Sequence, residues 1–266
     1  QEVVGTYGIV VLCSDEPDTL IAARMGSPLV LGVGESEYFL ASDASPIVGN
    51  TRRVIYIDDG EIVHLTKGSH EISSLQSKKI INKTLTEIDL SIEEIEKGSF
   101  PHFMLKEIHD QKSSILNSMR GRLNFKDGTT NLGGIIDFIP NLISSSRIYI
   151  TACGTSWHAG LIGKYLIETY AKTPVHVEYA SEFRYGQSII DPNTLMIAIS
   201  QSGETADTLA AIKKAKKLGA LTLGVCNVVG SSIARETDGG IYTHAGPEIG
   251  VASTKAFTSQ VTVLIM

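Results

Sequence analysis

The chain is poor in cysteine, in net positive charge and in long apolar runs. Its three cysteines, Cys13, Cys153 and Cys226, stand far apart with no C-x-x-C or metal-site spacing, which excludes a disulfide framework and a cysteine-held metal. Each follows an apolar run and is expected to be a small buried thiol in a reducing compartment. Lys and Arg number 23 against 29 Asp and Glu, a net charge of −6. That balance gives no basic face, so no nucleic-acid partner is expected. No run of about 20 apolar residues and no signal peptide is present, so no membrane partner is expected and the location is read as cytoplasmic. The seven histidines, His64, His70, His102, His109, His158, His176 and His244, include no H-E-x-x-H or similar pair, so no metal is expected. No Walker loop exists, and Gly32-Val33-Gly34 lacks the third glycine and the following helix of a dinucleotide fingerprint. No cofactor is therefore expected.

What is present is an ordinary globular composition, 42% hydrophobic and 20% charged over 266 residues, enough for one large domain or two smaller ones. Residues 3–66 read as short strands: Tyr7–Cys13, Thr19–Ala23, Leu29–Val33, Tyr38–Ser42, Arg53–Ile57 and Glu61–Leu65. Their close spacing implies antiparallel pairing, and Asp58-Asp59-Gly60 is a hairpin signal between the last two. Residues 67–100 turn polar and read as a linker, with one strand near Lys79–Asn82. A helix is expected over Leu105–Arg120, with Ile108, Ile115 and Met119 on one face and Gly121 as its stop.

From Arg147 the pattern alternates between β and α. Strands are expected at Ile148–Ala152, Val175–Glu178, Thr194–Ser200, Leu221–Cys226 and Gly240–Thr243. Helices are expected from Ser156, with Leu161, Ile162, Tyr165 and Leu166 as a buried stripe, then over Ser181–Tyr185, over Glu204–Lys217 ending at Gly219, near Ser231, and from Thr254. Near-continuous apolar strands such as Leu195-Met196-Ile197-Ala198-Ile199 belong in a parallel sheet covered on both faces. The chain opens inside a strand-like stretch around Val3 and Val4 and stops at Met266 inside an apolar helical run, so it reads as a segment of a longer protein.

Ligands of open parallel sheets bind beyond the carboxyl ends of the strands. Two junctions there are alike: Ala152-Cys153-Gly154-Thr155-Ser156 and Ser200-Gln201-Ser202-Gly203-Glu204-Thr205. Each places hydroxyl residues and a glycine where a helix begins. The first turn of a helix offers unpaired N–H groups and partial positive charge, about 0.3–1 kcal/mol toward an anion. Hydroxyls add donors that rotate toward phosphate oxygens, and glycine admits a close backbone approach. The competing possibility is that Ser202 and Ser156 are only helix caps. A third cluster, Glu248-Ile249-Gly250-Val251-Ala252-Ser253-Thr254-Lys255, precedes the last helix. There Lys255 offsets substrate charge or is a solvated side chain, and Ser253 could donate to a sugar hydroxyl. His158 is read as a packing residue, and Glu204 and Asp207 as stabilisers of the helix dipole.

These three segments, extended through Ala206-Asp207-Thr208 and Ala256-Phe257-Thr258, resemble the sugar-isomerase domain of the isomerizing glutamine–fructose-6-phosphate aminotransferases. Leu20-Ile21-Ala22-Ala23-Arg24, Ser27-Pro28-Leu29-Val30, Phe39-Leu40-Ala41-Ser42-Asp43 and Thr51-Arg52-Arg53-Val54-Ile55-Tyr56 resemble the later half of that family's glutaminase domain, and Phe103-Met104-Leu105-Lys106-Glu107-Ile108 the start of its synthase half. The resemblance implies an antiparallel β-rich remnant of an N-terminal-nucleophile, class II glutamine amidotransferase domain over residues 1–70, a linker over 71–103, and a parallel-sheet α/β/α sugar-isomerase (SIS) domain over 104–266, cut short at its carboxyl end. It implies fructose 6-phosphate as ligand, glutamine as a second substrate of the full-length enzyme, glucosamine 6-phosphate and glutamate as products, and a homodimer through the sugar-isomerase half. By position, Ser200, Gln201, Ser202 and Thr205 would bind phosphate beside Thr155 and Ser156, and Val251 and Ser253 would contact the sugar.

The family's nucleophilic cysteine begins the mature chain, whereas residue 1 here is Gln1. Its imine-forming lysine, glutamate base and ring-opening histidine belong to a second sugar-isomerase half that would follow Met266. No catalytic residue is therefore assigned, and the 266-residue chain alone is expected to make no glucosamine 6-phosphate. A non-catalytic sugar-phosphate sensor, or a relative that deglycates or isomerises other amino sugars, are the alternatives. The β-rich first half counts against both.

Overall fold

The computed structural model describes residues 3–44, 46–88 and 95–266. They divide into two units, Gln1–Glu96 and Lys97–Met266. Among the described residues no helix is long and apolar enough to cross a membrane.

The first unit holds β1 (Tyr7–Cys13), β2 (Glu16–Met25), β3 (Val30–Val33), β4 (Tyr38–Ala41), β5 (Arg53–Tyr56), β6 (Glu61–Leu65), β7 (His70–Ser74) and β8 (Thr86–Glu87). Two antiparallel sheets result, ordered β1-β2-β6-β7 and β4-β3-β5-β8. The period-2 alternation of each strand turns one set of side chains inward. Ala22, Val63, Leu65 and Ile72 of the first sheet thereby meet Leu31, Val33 and Ile55 of the second in one core.

Two expectations fail here. Asp58-Asp59-Gly60 does not close a hairpin, because β5 and β6 lie in different sheets. The turn instead serves buried Arg24: Asp59 Oδ1 accepts from Arg24 Nε (3.2 Å) and from the Gly26 N–H (2.7 Å), and Arg24 Nη1 donates to the Ile57 carbonyl. The stretch read as linker also supplies β7 and β8. Its polar side chains face outward, and only Ile72 of β7 is buried. The strand expected near Lys79–Asn82 is a single Ser73–Ile80 bridge.

The second unit opens with α1 (Phe103–Met119), a small hairpin of β9 (Leu123–Asn124) and β10 (Thr129–Thr130), a 3-10 turn at Gly133–Phe138 and α2 (Ile139–Ser144). The alternating part follows: β11 (Arg147–Ala152), α3 (Gly154–Tyr170), β12 (Val175–Tyr179), α4 (Ala180–Tyr185), β13 (Thr194–Ser200), α5 (Ala206–Lys217), β14 (Leu221–Cys226), α6 (Ser232–Glu236), β15 (Gly239–Tyr242) and α7 (Lys255–Ile265). The five strands are all parallel, in the order β12-β11-β13-β14-β15. Alternate residues of β13 serve opposite faces. Leu195 and Ile199 pack with Val263 of α7, and Met196 packs with Phe183 of α4 and Ala211 of α5. Strand order reverses between β11 and β13, which is where doubly wound sheets open a ligand crevice.

α1 and the elements from β11 onward fall where expected, but two helix faces do not. On α3 the buried residues are Ser156, Ala159, Gly160 and Gly163, while Leu161 and Tyr165 are 39% and 70% exposed. A Cβ on Gly160 would lie 2.9 Å from Ile150 Cγ2, and one on Gly163 2.9 Å from Leu264 Cδ1, so close approach to β11 and α7 selects small residues. On α1 the buried residues are Glu107, Ser114 and Ser118, and Ile108 faces out. The cysteines differ as well: only Cys226 is buried, Cys153 is half-buried and Cys13 is exposed on β1.

Candidate functional site at the β11–β13 crevice

β13 ends in Ser200, whose Oγ accepts the Gly203 N–H at 3.0 Å and lies 3.1 Å from Thr205 Oγ1. Ser202 Oγ accepts the Glu204 N–H at 3.2 Å. The loop bends at Gly203, φ +67°, and is clamped to the next βα junction. The Gln201 carbonyl accepts from Asn227 N–H (3.2 Å), the Gly203 carbonyl from Ile233 N–H (2.9 Å), and Glu204 Oε1 from Ser232 N–H (2.7 Å). Glu204 thus caps α6. Asp207, in the first turn of α5, pairs with Arg184 at 2.9 Å.

The neighbouring junction turns at Gly154, φ +58°, from β11 into α3. Ala152 is registered against Ile199 on β13, and Cys153 Sγ lies 3.9 Å from Thr208 Oγ1 in α5, so the two loops are side by side. Ser156 Oγ accepts from Gln260 Nε2 at 3.0 Å; Thr155 is exposed beside it. Capping does not account for these serines. Neither α3 nor α5 has a side-chain hydrogen bond at its N-cap, so no cap side chain takes up their leading N–H groups.

The directions of the hydrogen bonds carry chemical information. A hydroxyl that accepts from an N–H still has its own proton to donate. Ser156, Ser200 and Ser202 each accept from an amide. Ser200 and Thr205 spend one proton between them and keep one. Hydroxyl protons are thus left over at both helix starts, on the buried Ser156 and Ser200 and the half-buried Ser202, which matches a ligand made only of acceptors, as a phosphate is.

The third segment is built differently from its expectation. Glu248 folds back over its own loop: Oε2 accepts the Ser253 hydroxyl (2.6 Å), and Oε1 accepts the N–H groups of Thr254 (2.7 Å) and Ala256 (3.1 Å). Ser253 can therefore accept from a sugar hydroxyl more readily than donate to one. Val251 is fully exposed at the loop tip. Glu107 of α1 holds the loop's backbone, accepting from Ile249 N–H at 2.6 Å and Gly250 N–H at 2.9 Å. Lys255 is not a solvated side chain. It is buried and donates to Asp110 Oδ2 at 3.1 Å. Gln260 and Asp110 escape a motif search, and the motifs that contain Glu107 and Glu248 do not reveal their roles. The signal that would find Gln260 is its place with Ser259 as a polar pair in an apolar helical run.

Cys226 lies beneath the loop, and burial pushes its thiol up to about 12, which leaves it un-ionised and no nucleophile at neutral pH. His158 is exposed, with Nδ1 3.0 Å from the Gly154 carbonyl and its ring edge-on to Trp157. A separate cleft of about 560 Å³, lined by residues including Leu142, Leu166, Ile167, Leu195 and Met266, is apolar and lacks the convergent polar groups that orient a sugar phosphate.

Residues 141–266 match the family model of the SIS domain. Along its whole length the chain is 56% identical to the isomerizing glutamine–fructose-6-phosphate aminotransferase of Chlorobaculum tepidum, covering 100% of this chain and 43% of that protein. It is 53% identical to the same enzyme of Bacteroides thetaiotaomicron, again over 100% of this chain and 43% of that one. Among solved structures, the C-terminal domain of glucosamine-fructose-6-phosphate aminotransferase from Francisella tularensis superposes with a TM-score of 0.57 at 42% identity, over 64% of this chain and 47% of that one. The chain thus spans less than half the length of the curated relatives it matches.

Proposed function

We propose, for a chain whose residues 141–266 belong to the SIS domain family, that the β11–β13 crevice grips the phosphate of fructose 6-phosphate for its conversion with glutamine to glucosamine 6-phosphate and glutamate. In this reading Ser200, Ser202, Thr205, Thr155 and Ser156, with Gln201, hold the phosphate. Val251 and Ser253 lie against the sugar, and the two antiparallel sheets of Gln1–Glu96 are part of a glutaminase domain. The residues that carry the chemistry are not among those of this crevice. A cytoplasmic homodimer built on the SIS half belongs to the same reading.

The observation that carries it is the set of hydroxyls at two adjacent helix starts whose oxygens accept from amides and whose protons are left to donate. Each hydrogen bond to a charged partner contributes about 1.5–3 kcal/mol, and about 1.4 kcal/mol is tenfold in affinity. Replacing Ser200→Ala and Ser202→Ala together is therefore expected to weaken fructose 6-phosphate binding tenfold or more by calorimetry, with the far-ultraviolet spectrum unchanged. Unchanged affinity would remove the crevice from consideration as the phosphate site.

A further inference from the structure

We propose that Gln260 is a positioning residue for the phosphate grip, holding the Ser156 hydroxyl so that its proton is given to the ligand; the proposal rests on the phosphate-binding reading above. Gln260 is 1% exposed and Ser156 7%, and Gln260 Nε2 donates to Ser156 Oγ at 3.0 Å. Its Oε1 is buried with no hydrogen-bond partner among the described residues. A buried amide half left unsatisfied is unfavourable, and a leucine would fill the same space without that penalty. Packing alone therefore gives no reason for a glutamine here.

Donor polarity does. Ser200 and Ser202 have their oxygens occupied by backbone N–H groups, which can only donate. Ser156 takes its donor from a side chain, and that side chain could face it either way. With Nε2 toward Ser156, the serine proton points to the ligand. With Oε1 toward Ser156, the same proton is consumed inside the protein. A bound anion favours the first arrangement. Gln260 also stands in the second turn of α7, the helix entered from the loop that carries Val251 and Ser253. One helix thus orients a phosphate donor and presents the sugar loop.

The test compares wild type, Gln260→Leu and Gln260→Glu in the full protein. Affinities for fructose 6-phosphate and for inorganic phosphate are measured by calorimetry from about pH 8 to about pH 5.5, and each variant is expressed as a ratio to wild type so that the ligand's own titration cancels. Gln260→Leu is expected to lose about three- to tenfold at every pH, the effect of one unfixed donor. Gln260→Glu is expected to lose more at high pH, because the carboxylate takes the Ser156 proton and repels the anion. The introduced carboxyl, raised by burial, then regains its proton and donates to Ser156, so affinity recovers as pH falls. Equal, pH-independent losses in both variants overturn the proposal and leave Gln260 a packing residue. If Gln260→Glu does not fold, Gln260→Leu is measured with and without Ser156→Ala. An effect that vanishes without the serine hydroxyl supports the proposal, and an additive one overturns it. Wild type that binds neither ligand overturns the phosphate reading itself, and this inference with it.

Discussion

Gly203 and Gly154 occupy equivalent turns, yet they answer to different constraints. Both have left-handed φ, +67° and +58°, which costs an L-residue about 1–2 kcal/mol. At Gly154 a Cβ would meet nothing within 4 Å, whereas at Gly203 it would lie 2.0 Å from Ser231 Oγ and 2.4 Å from Ser231 Cβ. Ser231 is fully buried and cannot yield. Gly154→Ala is therefore expected to lose only the conformational cost. Gly203→Ala should lose that plus about 1–3 kcal/mol of overpacking, and it should also displace the Ser200 and Ser202 hydroxyls. Urea midpoints and fructose 6-phosphate affinity check this together. Equal destabilisation by the two variants would mean that the loop is not clamped against α6. Half of this was legible in the sequence: a glycine beside hydroxyls at a strand–helix junction announces the turn. The clamp was not, since Ser231 belongs to the following βα unit and nothing local marks the contact.

Among the elements, what sequence periodicity conveyed and what it missed divide along one physical line. Apolar runs located β13 and β14, because strands buried on both faces admit few polar residues. Hydrophobicity placed the wrong faces on α1 and α3, because close packing there selects for small volume. The buried stripe of α3 is Ser, Ala and Gly, and that of α1 is bonded through polar groups: Glu107 to the loop at Ile249 and Gly250, and Ser118 to the Thr243 carbonyl. The burial of Lys255 was not legible either, since its partner Asp110 sits 145 residues earlier. Two substitutions on α3 separate the readings. Gly160→Val drives a branched side chain at Ile150 of β11 and is expected to cost about 1–3 kcal/mol, more than the small gain in helix propensity. Leu161→Ala, at a residue 39% exposed, is expected to cost under about 1 kcal/mol. Denaturant titration with a constant m-value measures both. A costlier Leu161→Ala would restore the apolar-stripe reading and refute the packing described for α3.

At the scale of the molecule, each unit has its own core: Leu31, Ile55 and Val63 in the first, Ile150, Leu195 and Ile199 in the second. The change from hairpin spacing to β/α alternation lies between these two cores in the sequence. The strand order β12-β11-β13-β14-β15 was not visible, because pairing follows from how each crossover packs. That order is nonetheless what sets the two hydroxyl loops side by side. If the units are energetically separate and the phosphate crevice belongs wholly to the second, a defect in the first should leave binding untouched. Leu31→Ala, at a residue fully buried in the first core, is expected to destabilise its unit by about 2–5 kcal/mol. Calorimetric melting should then show one transition lowered by the substitution. A second transition, insensitive to it, should be raised by fructose 6-phosphate, since ligand at about 100 times its Kd stabilises the binding unit by about 2.7 kcal/mol. A single transition that both the substitution and the ligand move would mean that the two cores unfold as one. The first unit would then have to be counted among the determinants of the crevice.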